Sequence, residues 1–119
     1  MPKKVKLELT LSKGELWWTS DKGVNWAPVG PKSPTTMLGE KDELQWICND
    51  GSIDELEIKI DSGIVIDPAT GSKTDKTSKV NAKSKNGDRT KYTILINGGS
   101  ISVDPDVVKC LNPPCPVGS

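Results

Sequence analysis

Residues 54–60 read DELEIKI, and their alternation decides the fold. Leu56, Ile58 and Ile60 share one face of an extended chain, while Glu55, Glu57 and Lys59 take the other. That is a period of two, which a helix cannot use. The pattern recurs outward in both directions. In VKLELTL (5–11), Val5, Leu7, Leu9 and Leu11 oppose Lys6, Glu8 and Thr10; in KYTILING (91–98), Tyr92, Ile94 and Ile96 alternate with Thr93 and Leu95. GIVID (63–67) is a short continuous apolar run, and ISVDPDVVK (101–109) adds a last one. Between the runs stand turn clusters, SKG, SDKG, NDGS, DPATGS, KNGD and NGGS, with Asn86-Gly87 the strongest turn signal among them. No helical window of useful length survives the scatter of Gly and Pro. Strands with one apolar face must pack sheet on sheet, so the sequence predicts an all-β sandwich.

The chain has 119 residues, enough to close one core without metal or disulfide help. The domain is expected to span 1–109, with 110–119 as a C-terminal tail. Within it, PVGPKSP (28–34) reads as a crossing loop, because proline has no amide to donate to a sheet. The Lys-rich stretch about 70–91 reads as a long loop or an exposed hairpin. Sixteen acids balance sixteen bases, so the basic footprint expected of a nucleic-acid binder is missing. Acids predominate from Glu40 to Asp67 and bases from Lys73 to Arg89. These are either two solvated faces or a dipolar surface that orients a charged partner. No run approaches the ~18 apolar residues of a membrane span. The N-terminus alternates instead of building an apolar core for a signal peptide, so a cytoplasmic protein is expected, or a secreted one if a leader was trimmed.

Three cysteines fit a reducing compartment better than a disulfide framework. Cys48 is in phase with Leu44 and Trp46 and is expected to be a small buried apolar residue. Cys110 and Cys115 bracket LNPP, and their pairing stays open.

GEKDELQWICNDGSIDELEIKI (39–60) resembles the first ligand strand and corner of the cupredoxin family. Asp42, Leu44 and Trp46 match the strand, Asn49 and Asp50 the polar corner, and Asp54 falls where the first copper-binding histidine would be. GDRTKYTILINGGSISV (87–103) is similar to the second ligand region, with Ile96 in the place of the copper cysteine. The resemblance implies a two-sheet Greek-key sandwich; an immunoglobulin-like strand order is the alternative, since such strands occur there too. It does not imply copper chemistry here. A blue-copper site needs two imidazoles and a thiolate, and the chain contains no histidine at all. Asp54 and Ile96 are therefore degenerate ligand positions, and fold does not carry function.

The missing histidine also removes Ser-His-Asp, Cys-His and histidine-ligated zinc catalysis. Glu55 and Glu57 share a strand face about 6.7 Å apart along the chain, near glycosidase spacing. On an amphipathic strand such acids are far more often the wet face. No metal and no cofactor is called for.

The tryptophans carry the functional expectation. In GELWWTSDKGVNWAP (14–28), adjacent Trp17 and Trp18 must point to opposite faces of a strand. One enters the core and the other does not. A hairpin with Lys22-Gly23 at its tip pairs Thr19 with Trp26; one with Asp21-Lys22-Gly23 pairs Trp18 with Trp26. Trp17, Trp18 and Trp26 are thus the candidate binding residues. The expected function is a non-catalytic module that binds another protein or itself, since tryptophan dominates interface hot spots. The alternative is a carbohydrate-binding module that stacks sugar on the same rings, with Asp21 or Asn25 as hydrogen-bonding partners.

Overall fold

The computed structural model describes residues 4–30, 35–48, 51–62 and 65–109. Eleven strands run in chain order: β1 (Lys4–Ser12), β2 (Glu15–Thr19), β3 (Ala27–Pro28), β4 (Thr35–Leu38), β5 (Glu43–Ile47), β6 (Leu56–Ser62), β7 (Thr70–Gly71), β8 (Asp75–Lys79), β9 (Arg89–Ile96), β10 (Ile101–Val103) and β11 (Asp106–Lys109). They form two sheets, and no helix is present among the described residues. The first sheet has the order β3-β2-β1-β5-β8-β7. In the second, β9 is central, with β6 on one side and β10 and β11, followed by β4, on the other.

The period-two faces become the core. Leu7 and Leu9 of β1, Leu44 and Trp46 of β5, Leu56 of β6, and Tyr92, Ile94 and Ile96 of β9 are buried in one cluster. At ~25 cal/mol per Å², this interdigitated layer is the main favourable contribution to folding. At its centre Trp46 and Tyr92 meet edge to face, ring centroids 5.2 Å apart and planes at 64°. Trp46 Nε1 donates to Tyr92 Oη at 3.2 Å, so neither polar atom is buried unpaired. Burial pushes the Tyr92 phenol well above its usual range; the bond from Trp46 opposes this only in part. Cys48 is 7% exposed, as its phase with Trp46 predicts, and its Sγ lies 3.9 Å from Ser52 Oγ.

Most pairing is antiparallel, but two pairs are parallel: β1 with β5 and β4 with β11. The second sheet's last strand is bent, because Pro105 separates β10 from β11 along the flank of β9. Of the GIVID run, Gly63 and Ile64 lie outside the described residues. Val65 and Ile66 are buried, but only an isolated bridge from Ile66 to Val80 follows, where the chain crosses to the first sheet. The Lys-rich region contains the β7–β8 hairpin and a hydrogen-bonded loop. Ser84 N donates to Asn81 O, Asp88 N to Lys85 O and Gly87 N to Lys109 O. Asn86-Gly87 lies in that loop and joins strands of different sheets, so it closes no hairpin. The tail with Cys110 and Cys115 lies outside the described residues, as do 31–34 of the crossing loop.

The charge asymmetry of the sequence does not survive folding as two separate faces. Antiparallel pairing sets Glu43 opposite Lys79, and Glu55 and Glu57 line a groove together with Lys73 and Lys76.

Candidate functional site

The β1–β2 register places Leu9 across from Trp18, Leu11 across from Leu16, and Thr10 across from Trp17. Leu9 and Leu16 are buried, so their face is the core face, and Trp18 packs against that core. Trp17 takes the outer face with Thr10 and Glu8. Of the three tryptophans read from the sequence, Trp18 therefore leaves the surface set.

β2 pairs with β3 as Trp17↔Pro28 and Trp18↔Ala27. That register is the one with Lys22-Gly23 at the hairpin tip, the first of the two alternatives, and it excludes the direct Trp18–Trp26 pairing. Trp26 is 41% exposed and Val24 is 77% exposed; they are the exposed large hydrophobics among the described residues. Trp17 is half-buried, and its Nε1 is buried without a hydrogen-bond partner. Such an orphan costs about 1–3 kcal/mol, so the ring's position is imposed by its neighbours rather than by its own polar group.

The loop that carries Val24 is built around Thr19 and Asp21. Thr19 is fully buried, and its Oγ1 accepts from Asp21 N at 3.3 Å and Gly23 N at 3.2 Å. The same hydroxyl donates to Asp21 Oδ1 at 2.5 Å. Asn25 donates twice to Asp21, from its backbone N to Oδ1 at 2.9 Å and from Nδ2 to Oδ2 at 2.8 Å. These donors, Thr19 first, hold the Asp21 carboxyl down at about 2. Lys22 and Gly23 both adopt positive φ, 61° and 89°, which closes the loop tightly. The ring of Trp26 lies beside Gly23, where an added Cβ would come 3.7 Å from Nε1. The result is a stiff platform that displays two apolar side chains.

The degenerate ligand positions meet at the other end of the sandwich. Asp54 is exposed, and its N donates to Asn97 Oδ1 at 2.8 Å, as does Glu55 N at 3.0 Å. Ile96 is fully buried and points into the core between Leu56 and Ile101. The two stretches are thus tied together by the Asn97 side-chain oxygen, which accepts from both Asp54 N and Glu55 N. No group of three or more Cys, Asp or Glu able to hold a metal occurs among the described residues.

Sequence reading missed a buried cation. Lys109 is fully buried, and its Nζ donates to Ser84 Oγ at 2.7 Å and Ser84 O at 3.3 Å. A lysine that follows two valines carries no signal of this. Ser84 Oγ in turn donates to Asn81 O at 2.6 Å, so the pair acts as a loop anchor, its hydroxyl already committed.

No family model and no curated protein matches the sequence. No helix among the described residues is long and apolar enough to cross a membrane.

Proposed function

We propose that this is a non-catalytic β-sandwich module that recognises another protein through the outer face of the β2–β3 hairpin. The observation that carries this reading is the pairing of exposure with rigidity. Val24 and Trp26 stand in solvent on a loop whose conformation is held by five hydrogen bonds centred on Thr19 and Asp21. A preordered apolar display loses little entropy when it docks, which is how small hot spots gain affinity.

The alternative sugar-stacking reading is weakened by the same hydrogen bonds. Both carboxylate oxygens of Asp21 and the amide nitrogen of Asn25 are used within the loop, so they are not free to read hydroxyl groups. The finer scaffold reading is a Greek-key, cupredoxin-like order. It is supported by the parallel β1–β5 and β4–β11 pairs and by the meeting of Asp54 with Asn97.

A photo-reactive benzoylphenylalanine at position 24, with a control at exposed Lys59 on the second sheet, tests the reading in cell extract. A protein adduct specific to position 24, lost on Trp26→Ala, is the expected result. Equal labelling at both positions, or none at 24, sinks it.

A further inference from the structure

We propose that the hairpin face seats a cationic side chain, arginine or lysine, borne by an extended segment of the protein partner; this rests on the reading of the hairpin as the recognition surface. The argument is charge complementarity beside the indoles. Glu8 lies on the outer face of β1, directly opposite Thr19 and diagonal to Trp17. It is half-buried and makes no hydrogen bond or ion pair with any described residue. On the other side of Thr19, the Asp21 carboxylate contacts the Thr19 hydroxyl at 2.5 Å and is bonded only by neutral donors. Glu8 thus stands on the face that carries Trp17, while the Asp21 carboxylate, its hydrogen bonds made within the loop, adds only negative charge next to Thr19. Neither carboxylate forms an ion pair with a described residue, although Lys6 and Lys22 are close in sequence.

A guanidinium or ammonium over an indole face gains cation–π attraction, and an adjacent unpaired carboxylate adds a charge-assisted hydrogen bond. A neutral apolar side chain would gain only the first contact area and leave Glu8 further desolvated. The edge itself cannot take a full partner strand. Val29 N donates to Leu16 O, which turns the backbone groups of Pro28 towards the free side, and Pro28 has no N–H to offer there. Recognition on this face is therefore made by side chains, with the cation as its anchor.

The test titrates the full ¹⁵N-labelled chain with a short glycine peptide carrying one arginine, against its citrulline and leucine counterparts. Citrulline keeps the shape and loses the charge. The expected result is saturable shifts of the Trp26 indole and of the Gly23 and Val24 amides with arginine. Binding of citrulline should be about tenfold weaker, and Glu8→Gln should weaken the arginine peptide by about threefold to tenfold. Equal binding of citrulline or leucine, or no effect of Glu8→Gln, overturns the cationic anchor. A silent arginine titration beside a specific cross-link at position 24 removes the cation and leaves the recognition surface standing. A silent titration with no cross-link removes both.

Discussion

Tyr92 concentrates the chemistry of the core in one hydroxyl. It accepts the hydrogen bond that the Trp46 indole N–H donates, and both residues are fully buried. Tyr92→Phe leaves that N–H orphaned, and a loss of about 1–3 kcal/mol is expected in urea unfolding followed by tryptophan fluorescence. The same burial sets an alkaline limit. The phenol's pKa is raised in the folded state, so its contribution is fully present below the unfolded value near 10. That contribution is lost as pH climbs past 10 towards the folded value. Unfolding and phenolate absorbance should appear together above pH 10, and phenolate absorbance that preceded unfolding would contradict the burial. Asp21 has the opposite sign. Its carboxyl is held at about 2, below the usual aspartate value of 3.8, so the loop's hydrogen bonds persist as pH falls through 4 and are lost only near 2. The amide shifts of Gly23 and Asn25 should stay constant to about pH 3, where the Asp21→Asn variant already differs at neutral pH. The aromatic partner of Trp46 could be guessed from the alternation around Tyr92. The Thr19–Asp21–Asn25 network could not, because it needs a buried threonine on the face that the pattern assigns to solvent.

The β1–β2 hairpin is the element whose sequence is least suited to its own turn. Ser12 pairs with Glu15, so Lys13 and Gly14 form a two-residue connection, and both have positive φ, 52° and 78°. Glycine takes this conformation freely; lysine does so against its Cβ. Lys13→Asn supplies the residue type preferred at that turn position and should raise stability by about 0.5–1 kcal/mol, read as a shift in the urea midpoint at unchanged slope. β9 is the opposite case, an element whose pattern and role agree. It alternates without a break and is paired on both flanks, so Thr90, Tyr92, Ile94 and Ile96 all face inward and are fully buried. Its legibility comes from that double pairing, since a central strand has no freedom to shift register without turning its apolar set outward. β10 and β11 were legible as one run and are two strands, because Pro105 cannot donate across the ladder.

At the scale of the whole molecule, Lys109 ties the last strand to the loop before β9. Its stem lies on the core side beside Leu38, and its ammonium is anchored by Ser84. Lys109→Ala should cost about 2–4 kcal/mol through the cavity and the released loop, visible as faster hydrogen exchange at Ser84 and Gly87. The alternation of Leu, Ile and Val with charged residues, the glycine-bearing turns and the absence of histidine were sufficient to determine an all-β sandwich and to exclude a blue-copper site. Period and composition act locally, each residue reporting its own face. Which strands lie side by side is a long-range matter. The parallel β1–β5 and β4–β11 pairs bring together residues tens of positions apart, and no local signal encodes them. The same pairing set acids against bases that the sequence kept in separate halves. It also decided which tryptophan takes the outer face. Trp17 and Trp18 are equivalent in sequence, and only the neighbour across the strand, Thr10 for one and Leu9 for the other, turns one outward and the other into the core.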